Sequence, residues 1–431
     1  MEKLTGKDFA LGIQHLFAMF GATILVPLLT GLNPSTALVS AGVGTLIFHL
    51  CTKFKVPVFQ GSSFAYLGAI AAIVEGYGIQ YAQGGIIFAG LIYLLISLCA
   101  YLAGPERIKK IFPPVVTGPV IVVIGLSLVS TAVGDAMNTA VTGSTLLSLL
   151  VAIFTLAVVI VCTIFAKGFF KLVPILIGLA AGYVLCVILS FCGVSSMDYT
   201  AITNAHWINV PGFTPDFMTL PKFNITAILA IAPIAIVTCM EHIGDITTNG
   251  AVVGKDFFKD PGLHRTLLGD GLATIFAGFI GGPANTTYSE NTGVLATTKN
   301  YNPRLLRIAA VFAIILGIFG KFGAVLQTIP TPVRGGVEFM LFGMISAVGI
   351  RTLAEAKLDF THSRNLIIVA LILSIGAGFS VTGGLPITVG GIDLNISGLF
   401  LAVVIGVLLN LILPQELEKN EETETPEKSE E

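Results

Sequence analysis

Three carboxylates in this chain, Glu241, Asp245 and Glu290, fall inside long apolar runs. Lipid offers no partner for a charge or a broken backbone, so such groups are expected to line a polar cavity. Glu241 and Asp245 stand four residues apart in IVTCMEHIGDITT, on one helical face. For Glu241 the functional reading is a substrate ligand coupled to a proton. The alternative is a structural carboxylate paired with His242, a helix end or a Lys. Asp245, closer to the cytoplasmic interface, is open to either role. Glu290 follows the polar run NTTYS within Gly281 to Lys299, GGPANTTYSENTGVLATTK, and Gly61-Ser62-Ser63-Phe64 has the same broken character. If short half-helices meet at these two breaks, their first N–H groups are unpaired. A planar ligand with carbonyls and ring N–H groups suits such a site: the backbone donates to the carbonyls and the carboxylates accept from the ring. Phe64 and Tyr66 could stack on a flat ring, although packing is the ordinary role of a Phe in a span. His15, in GIQHLFAMFGAT, is intramembrane and either orders the site through hydrogen bonds or touches substrate. Glu75 and Asp270 are expected near span ends and Glu338 in span twelve away from the breaks, all three in interfacial or inter-helix pairing.

These residues need a membrane scaffold. The 431 residues are 54% hydrophobic and 11% charged, with 48 glycines that fit close helix packing in lipid. Apolar runs predict spans near 9–31, 33–51, 57–76, 80–103, 113–134, 143–166, 170–193, 223–247, 264–282, 284–299, 304–328, 332–351, 364–382 and 394–414, fourteen in all. The third and tenth carry polar residues and glycines in their middles, so they read as broken half-spans. With the N-terminus in the cytoplasm, twenty of the 23 basic residues fall in cytoplasmic segments, which supports an even count and internal termini.

The spans repeat. Pro114-Val-Val-Thr-Gly118, with Gly125 beyond it, resembles Pro332-Val-Arg-Gly-Gly336, with Gly343 beyond it, at a constant offset. Gln14-His15 pairs with Glu241-His242, and the broken third span with the broken tenth. Seven spans separate the partners, and seven is odd, so the halves are inverted in the membrane. The expected organisation is a first repeat over 1–193, an external loop over 194–222, a second repeat over 223–414 and a disordered acidic cytoplasmic tail over 415–431. Inverted repeats with broken helices describe secondary transporters.

Other classes find little support. A net charge of −2 carries no nucleic-acid footprint. The six cysteines, in no metal-ligand or CxxC spacing, read as small packing residues, and no metal site or cofactor is expected. No cleavable signal peptide is evident. No nucleophile elbow or HExxH appears, which disfavours an enzyme.

The motifs resemble those of the nucleobase–cation symporter family 2, also called the nucleobase–ascorbate transporter family, and within it the bacterial uracil permease branch. The family signature, Gln or Glu followed by Asn-x-Gly-x4-Thr-Lys/Arg, stands here as Glu290-Asn291-Thr292-Gly293-Val-Leu-Ala-Thr-Thr298-Lys299. QHLFAMFGAT from Gln14, GSSFA from Gly61, NAHW from Asn204, EHIGD from Glu241, DPGLHR from Asp260 and NTTY-x-EN from Asn285 resemble that branch too, so the similarity runs from Gln14 to about Leu413.

The resemblance implies a polytopic all-α membrane protein with short extended half-spans at segments 3 and 10. It implies a core domain of spans 1–4 and 8–11, a gate domain of spans 5–7 and 12–14, and commonly a homodimer through the gate. Substrate would lie between the half-spans. Glu241 and Glu290 would bind the base through their carboxylates, with backbone groups at Phe64 and Ser289, and Ala22 and Tyr288 lining the pocket. Proton coupling is expected at Glu241, Asp245 and His15. Purine members carry Gln at the position of Glu290. Ionised Glu only accepts, which matches the two ring N–H donors of uracil. Three positions depart from the family pattern: Asp245 where some members have His, Ser289 where Gly is frequent, and Phe342 where Tyr occurs. The expectation is a uracil–proton symporter of the cell membrane, H+ being the coupling ion. Rivals are a xanthine or urate permease and, less favoured, an anion transporter of the same architecture, because no basic residue stands at the half-helix junction.

Overall fold

The computed structural model describes residues 5–104, 107, 110–210, 219–389 and 392–414. The tail at 415–431, expected to be disordered, lies outside the described residues. Helix α1 (Gly6–Thr30) opens with a capping box, in which Thr5 N–H donates to Asp8 Oδ2 at 2.8 Å, and ends at Gly31, whose φ of 73° suits glycine. Asn33 caps α2 (Pro34–Cys51): its side chain accepts from the Ser35 N–H at 2.8 Å, and Pro34 takes the first turn. A three-residue strand, β1 (Gln60–Ser62), a turn of 3₁₀ helix and the ten-residue α3 (Leu67–Gly76) follow. Then come α4 (Ile79–Ala103), α5 (Pro114–Ala136), α6 (Thr145–Phe165) and α7 (Pro174–Phe191).

The second half repeats this plan. Helices α8 (Ile225–Ile231) and α9 (Ile234–Val253) meet at Pro233, which has no N–H to continue the ladder. Next come α10 (Leu263–Ile280), strand β2 (Asn285–Thr287) and the ten-residue α11 (Ser289–Thr298). Helices α12 (Arg304–Ile318), α13 (Gly320–Gln327), α14 (Thr331–Glu355) and α15 (Ser363–Val381), the hairpin β3 (Leu385–Val389) and β4 (Ile392–Ile396), and α16 (Gly398–Ile412) complete the chain. Among the described residues, nine helical stretches are long and apolar enough to cross a bilayer.

Strands β1 and β2 pair antiparallel, Gln60 opposite Thr287, Gly61 opposite Thr286 and Ser62 opposite Asn285. Two further bonds extend the pair, Ser63 N–H to the Ala284 carbonyl at 2.9 Å and Tyr288 N–H to the Phe59 carbonyl at 3.0 Å. Extended backbone inside hydrocarbon must find its hydrogen bonds within the protein, and these two breaks satisfy each other. Each strand feeds a half-length helix, so both broken spans take the expected form.

Helices α4, α10, α2, α12 and α1 pack as one group, and α5, α14, α6, α7, α15 and α16 as another. Glycines permit a close crossing of α5 on α14: a Cβ at Gly349 would stand 2.6 Å from the Gly118 carbonyl oxygen.

Three expectations need correction. Span eleven, expected to run unbroken over 304–328, is two helices that part at Phe319 (φ −77°, ψ 90°). The loop preceding α8 patches that break, with Asn209 N–H donating to the Ile318 carbonyl at 2.8 Å and Gly320 N–H to the Trp207 carbonyl at 3.0 Å. Asp270 lies in the middle of α10, wholly buried, not at a span end, because side chains from two other elements pair with it. The β3–β4 hairpin takes up residues 394–396 of the last expected span, 394–414, so its helix begins at Gly398.

Candidate functional site

The paired strands bring the two half-helix N-termini together. Helix α11 begins at Ser289, and α3 follows the 3₁₀ turn that starts at Phe64. The first N–H groups of each helix have no partner inside it and point along its axis. Glu290 is the second residue of α11, and its side chain is exposed. Helix α9 presents Glu241 and Asp245 to the same place, and the three carboxyl groups lie within electrostatic reach of one another. Glu241 is half-buried, and its Oε2 has no hydrogen-bond partner among the described residues.

Asp245 is held differently. Thr287 donates its hydroxyl to Oδ2 at 2.8 Å, and the Ser289 hydroxyl donates to Oδ1. Two hydroxyl donors satisfy a carboxylate without a cation. Ser289 thus does more than the backbone role expected of it: its side chain ties the start of α11 to α9. Glu241 and Glu290, with no such clamps, are the carboxylates with free acceptor capacity.

Tyr288 fixes the strand pair against α1. Its hydroxyl donates to the Ser62 carbonyl at 2.9 Å and accepts from the Thr23 hydroxyl at 3.2 Å. Gly61 makes room for that ring, since a methyl group there would run into it. Gly61→Ala is therefore expected to push Tyr288 off Ser62 and to lower transport by about tenfold or more, the two hydrogen bonds being worth about 1 kcal/mol each. Uptake measured beside Tyr288→Phe checks this; an alanine variant matching wild type refutes the close-approach argument.

Phe64 is nearly buried and packs edge-on to Phe342 of α14, with ring centroids 5.7 Å apart and planes at 79°. The pair spans the boundary between the two helix groups beside the site. Ala22 is buried on α1, next to Thr23. His15 is fully buried. The Asn291 amide donates to its backbone carbonyl at 2.9 Å and lies 3.3 Å from its Nδ1, so His15 is tied to the signature motif.

Several participants escaped the sequence reading. Asn249 of α9 donates to the Pro57 carbonyl at 3.1 Å and lies 3.0 Å from Thr292 Oγ1, linking the approach to β1 with α11. Gln60 of β1 donates its amide to Asp270 Oδ1 at 2.5 Å, Asp270 Oδ2 stands 2.7 Å from His242 Nδ1, and His242 Nε2 stands 2.9 Å from Thr266 Oγ1. All four side chains are buried. The sequence signal was present, an intramembrane Asp and a His beside Glu241, but not the partnership.

The model of the Permease family matches residues 6–385 of the chain. Among curated proteins the chain is 46% identical to the uracil permease of Bacillus caldolyticus over 95% of this chain and 92% of that one. It is 43% identical to the probable uracil permease of Pasteurella multocida, over 96% and 95%. Among solved structures it resembles the transmembrane domain of a cyanobacterium bicarbonate transporter BicA, with a TM-score of 0.60 at 14% identity over 94% of this chain and 97% of that one. It also resembles the murine anion transporter Slc26a9 in its inward-facing state, with a TM-score of 0.66 at 10% identity over 95% and 69%. At those identities the likeness is one of fold. The chain is a multi-pass membrane transport protein and not an enzyme.

Proposed function

Because the chain belongs to the nucleobase–cation symporter 2 family, we propose that it is a uracil permease, importing uracil with protons by alternating access. The observation that carries this reading is the pairing of Glu290 with Glu241 where two half-helix N-termini meet. Uracil offers two ring N–H donors and two carbonyl acceptors, and this junction offers carboxylates and backbone N–H groups. The names of relatives at 43–46% identity support the same substrate.

Glu290 and Glu241 accept from the ring, backbone groups at Phe64 and Ser289 complete the polar contacts, and Phe64, Tyr288 and Ala22 form the walls. Glu241 takes up the proton, Asp245 is its neighbour on the route, and His15 holds Asn291 and hence the start of α11. The core is spans 1–4 and 8–11 of fourteen, and the gate is spans 5–7 and 12–14, with two gates meeting in a homodimer. The core moves against the gate to carry uracil from outside to the cytoplasm, where both termini lie.

Radiolabelled uracil uptake into proteoliposomes, under a pH gradient and separately under a Na+ gradient, tests the reading. Accumulation is expected under an inward proton gradient alone. Glu241→Gln is expected to abolish gradient-driven accumulation while binding, measured at equilibrium, falls less, because Gln keeps an acceptor but cannot release a proton. Accumulation driven only by Na+ would overturn the proton assignment, and uptake of xanthine in preference to uracil would overturn the substrate.

A further inference from the structure

A second pair of acids, one buried and one half-buried, lies away from the junction, where α14 begins and where α1 and α5 end. Glu338 is wholly buried on α14, and no described donor reaches either of its carboxyl oxygens. Its carboxyl group lies beside that of Asp135 on α5, and Arg334, one turn earlier on α14, is the cation nearest to both. Ionised carboxylates only accept hydrogen bonds, so two side by side need a proton between them. Beside them stands one cation: Arg334 Nη2 is 3.4 Å from Asp135 Oδ2. With one proton the cluster is neutral, and without it the cluster carries one negative charge, partly shielded from solvent.

Arg334 also reaches the other helix group. Its Nη1 donates to the Leu28 carbonyl at 3.2 Å, and its Nη2 to Thr331 Oγ1 at 3.3 Å. Leu28 lies in the last turn of α1, where carbonyls have no partner inside the helix. Arg334 therefore closes one end of the boundary between the helix groups, and it lines a cavity of about 410 Å³ together with Leu28, Asn33 and Gln327.

The other titratable groups on the packed elements do not join the cluster. Lys321 of α13 is bonded to the Ile202 and Thr203 carbonyls and Tyr183 of α7 to Thr328, and Cys162 and Cys186 are free cysteines. The last two turns of α1 hold no titratable residue.

We propose that Asp135 and Glu338 form a second proton-binding site, reached from this cavity, and that its proton decides whether Arg334 holds the Leu28 carbonyl. With the proton bound, Arg334 is shared between Asp135 and Leu28 and the boundary is latched. When the proton leaves, the extra negative charge draws Arg334 into the pair and releases α1. The site is distinct from Glu241, Asp245 and Glu290, and its existence does not depend on the substrate.

Infrared difference spectra of the lipid-reconstituted protein between acidic and alkaline pH test the site without transport. The wild type is expected to show a protonated-carboxyl band that both Glu338→Gln and Asp135→Asn abolish, since either amide leaves the other acid to ionise against Arg334. If either variant keeps that band, the shared proton is refuted. Hydrogen exchange of the segment around Leu28 tests the latch. It should quicken as the wild-type band is lost, after correction for intrinsic rates, and stay slow in Glu338→Gln, whose amide supplies the bridging hydrogen permanently. The same pH response in both proteins would overturn the latch. A folded, monodisperse Asp135→Asn protein serves as second variant if Glu338→Gln does not fold.

Discussion

Replacing Glu290 by Gln is expected to lower uracil uptake and affinity by roughly 10- to 100-fold, the loss of one hydrogen bond to a charged acceptor of about 1.5–3 kcal/mol. The direction follows from donor count. An ionised Glu presents only acceptors to a ring N–H, whereas Gln turns one of its two positions into a donor. Glu290 is suited to that role because it sits in the first turn of α11 with its side chain exposed, while the hydroxyls of Thr287 and Ser289 are spent on Asp245. Glu290→Ala removes the acceptor altogether and is expected to cost more. Binding measured on purified protein, beside proteoliposome uptake, separates affinity from turnover. If Glu290→Gln and Glu290→Ala both bind and carry uracil like wild type, the site is elsewhere. Competition by xanthine is a further readout, since purine members carry Gln here; the Gln variant is expected to be inhibited by xanthine more than the wild type is.

The parts of this site that were legible in the sequence are those in which a residue contradicts its surroundings. Ser62 and Ser63 beside Gly61, and Asn285 to Glu290 after Pro283, contradict an apolar helix, so both breaks could be read. Their pairing as strands could be inferred only from the repeat, because three residues carry no alternation pattern to detect. Glu241 and Asp245 stood out in the same way, but not their different surroundings. Asp245 is satisfied by hydroxyls that come from 42 and 44 residues away. Asn291 holds His15 from 276 residues away, a partnership that only the closed fold creates. Phe319 breaks span eleven although it is neither Pro nor Gly. Backbone bonds from the 207–209 loop hold it there, so tertiary contacts override a sequence that reads as one helix. Asp270 was misplaced because an Asp surrounded by glycines and apolar residues looks the same at a helix end as at a buried junction until its partners are known.

That junction carries the second large effect: Asp270→Leu is expected to destabilise the protein by about 3–5 kcal/mol and to abolish uptake, whereas Asp270→Asn is expected to retain the fold. Hydrogen bonds around the junction assign its protons. The Thr266 hydroxyl donates to the Leu263 carbonyl at 2.9 Å, so its oxygen is the acceptor for the Nε2–H of His242. The Gln60 amide donates to Asp270 Oδ1. At 2.7 Å, His242 Nδ1 and Asp270 Oδ2 are close enough to share one proton, as imidazolium with carboxylate or in the neutral form, imidazole with carboxylic acid. Asn can reproduce the neutral form: its carbonyl accepts from Gln60 and its amide donates to Nδ1. Leu leaves the Gln60 side-chain amide and His242 Nδ1 buried without the partner that Asp270 supplies, which is where the cost arises. The consequence reaches the site because Gln60 is the first residue of β1, whose N–H also donates to Thr45 Oγ1 at 2.9 Å, and His242 is the neighbour of Glu241. Loosening the junction therefore shifts one strand of the pair and one carboxylate together. The apparent unfolding temperature in detergent, compared at one scan rate because unfolding of such proteins is commonly irreversible, gives the stability, and uptake gives the function. Equal losses in the Asn and Leu variants would show that Asp270 acts through its charge and not by holding Gln60 and His242 in place.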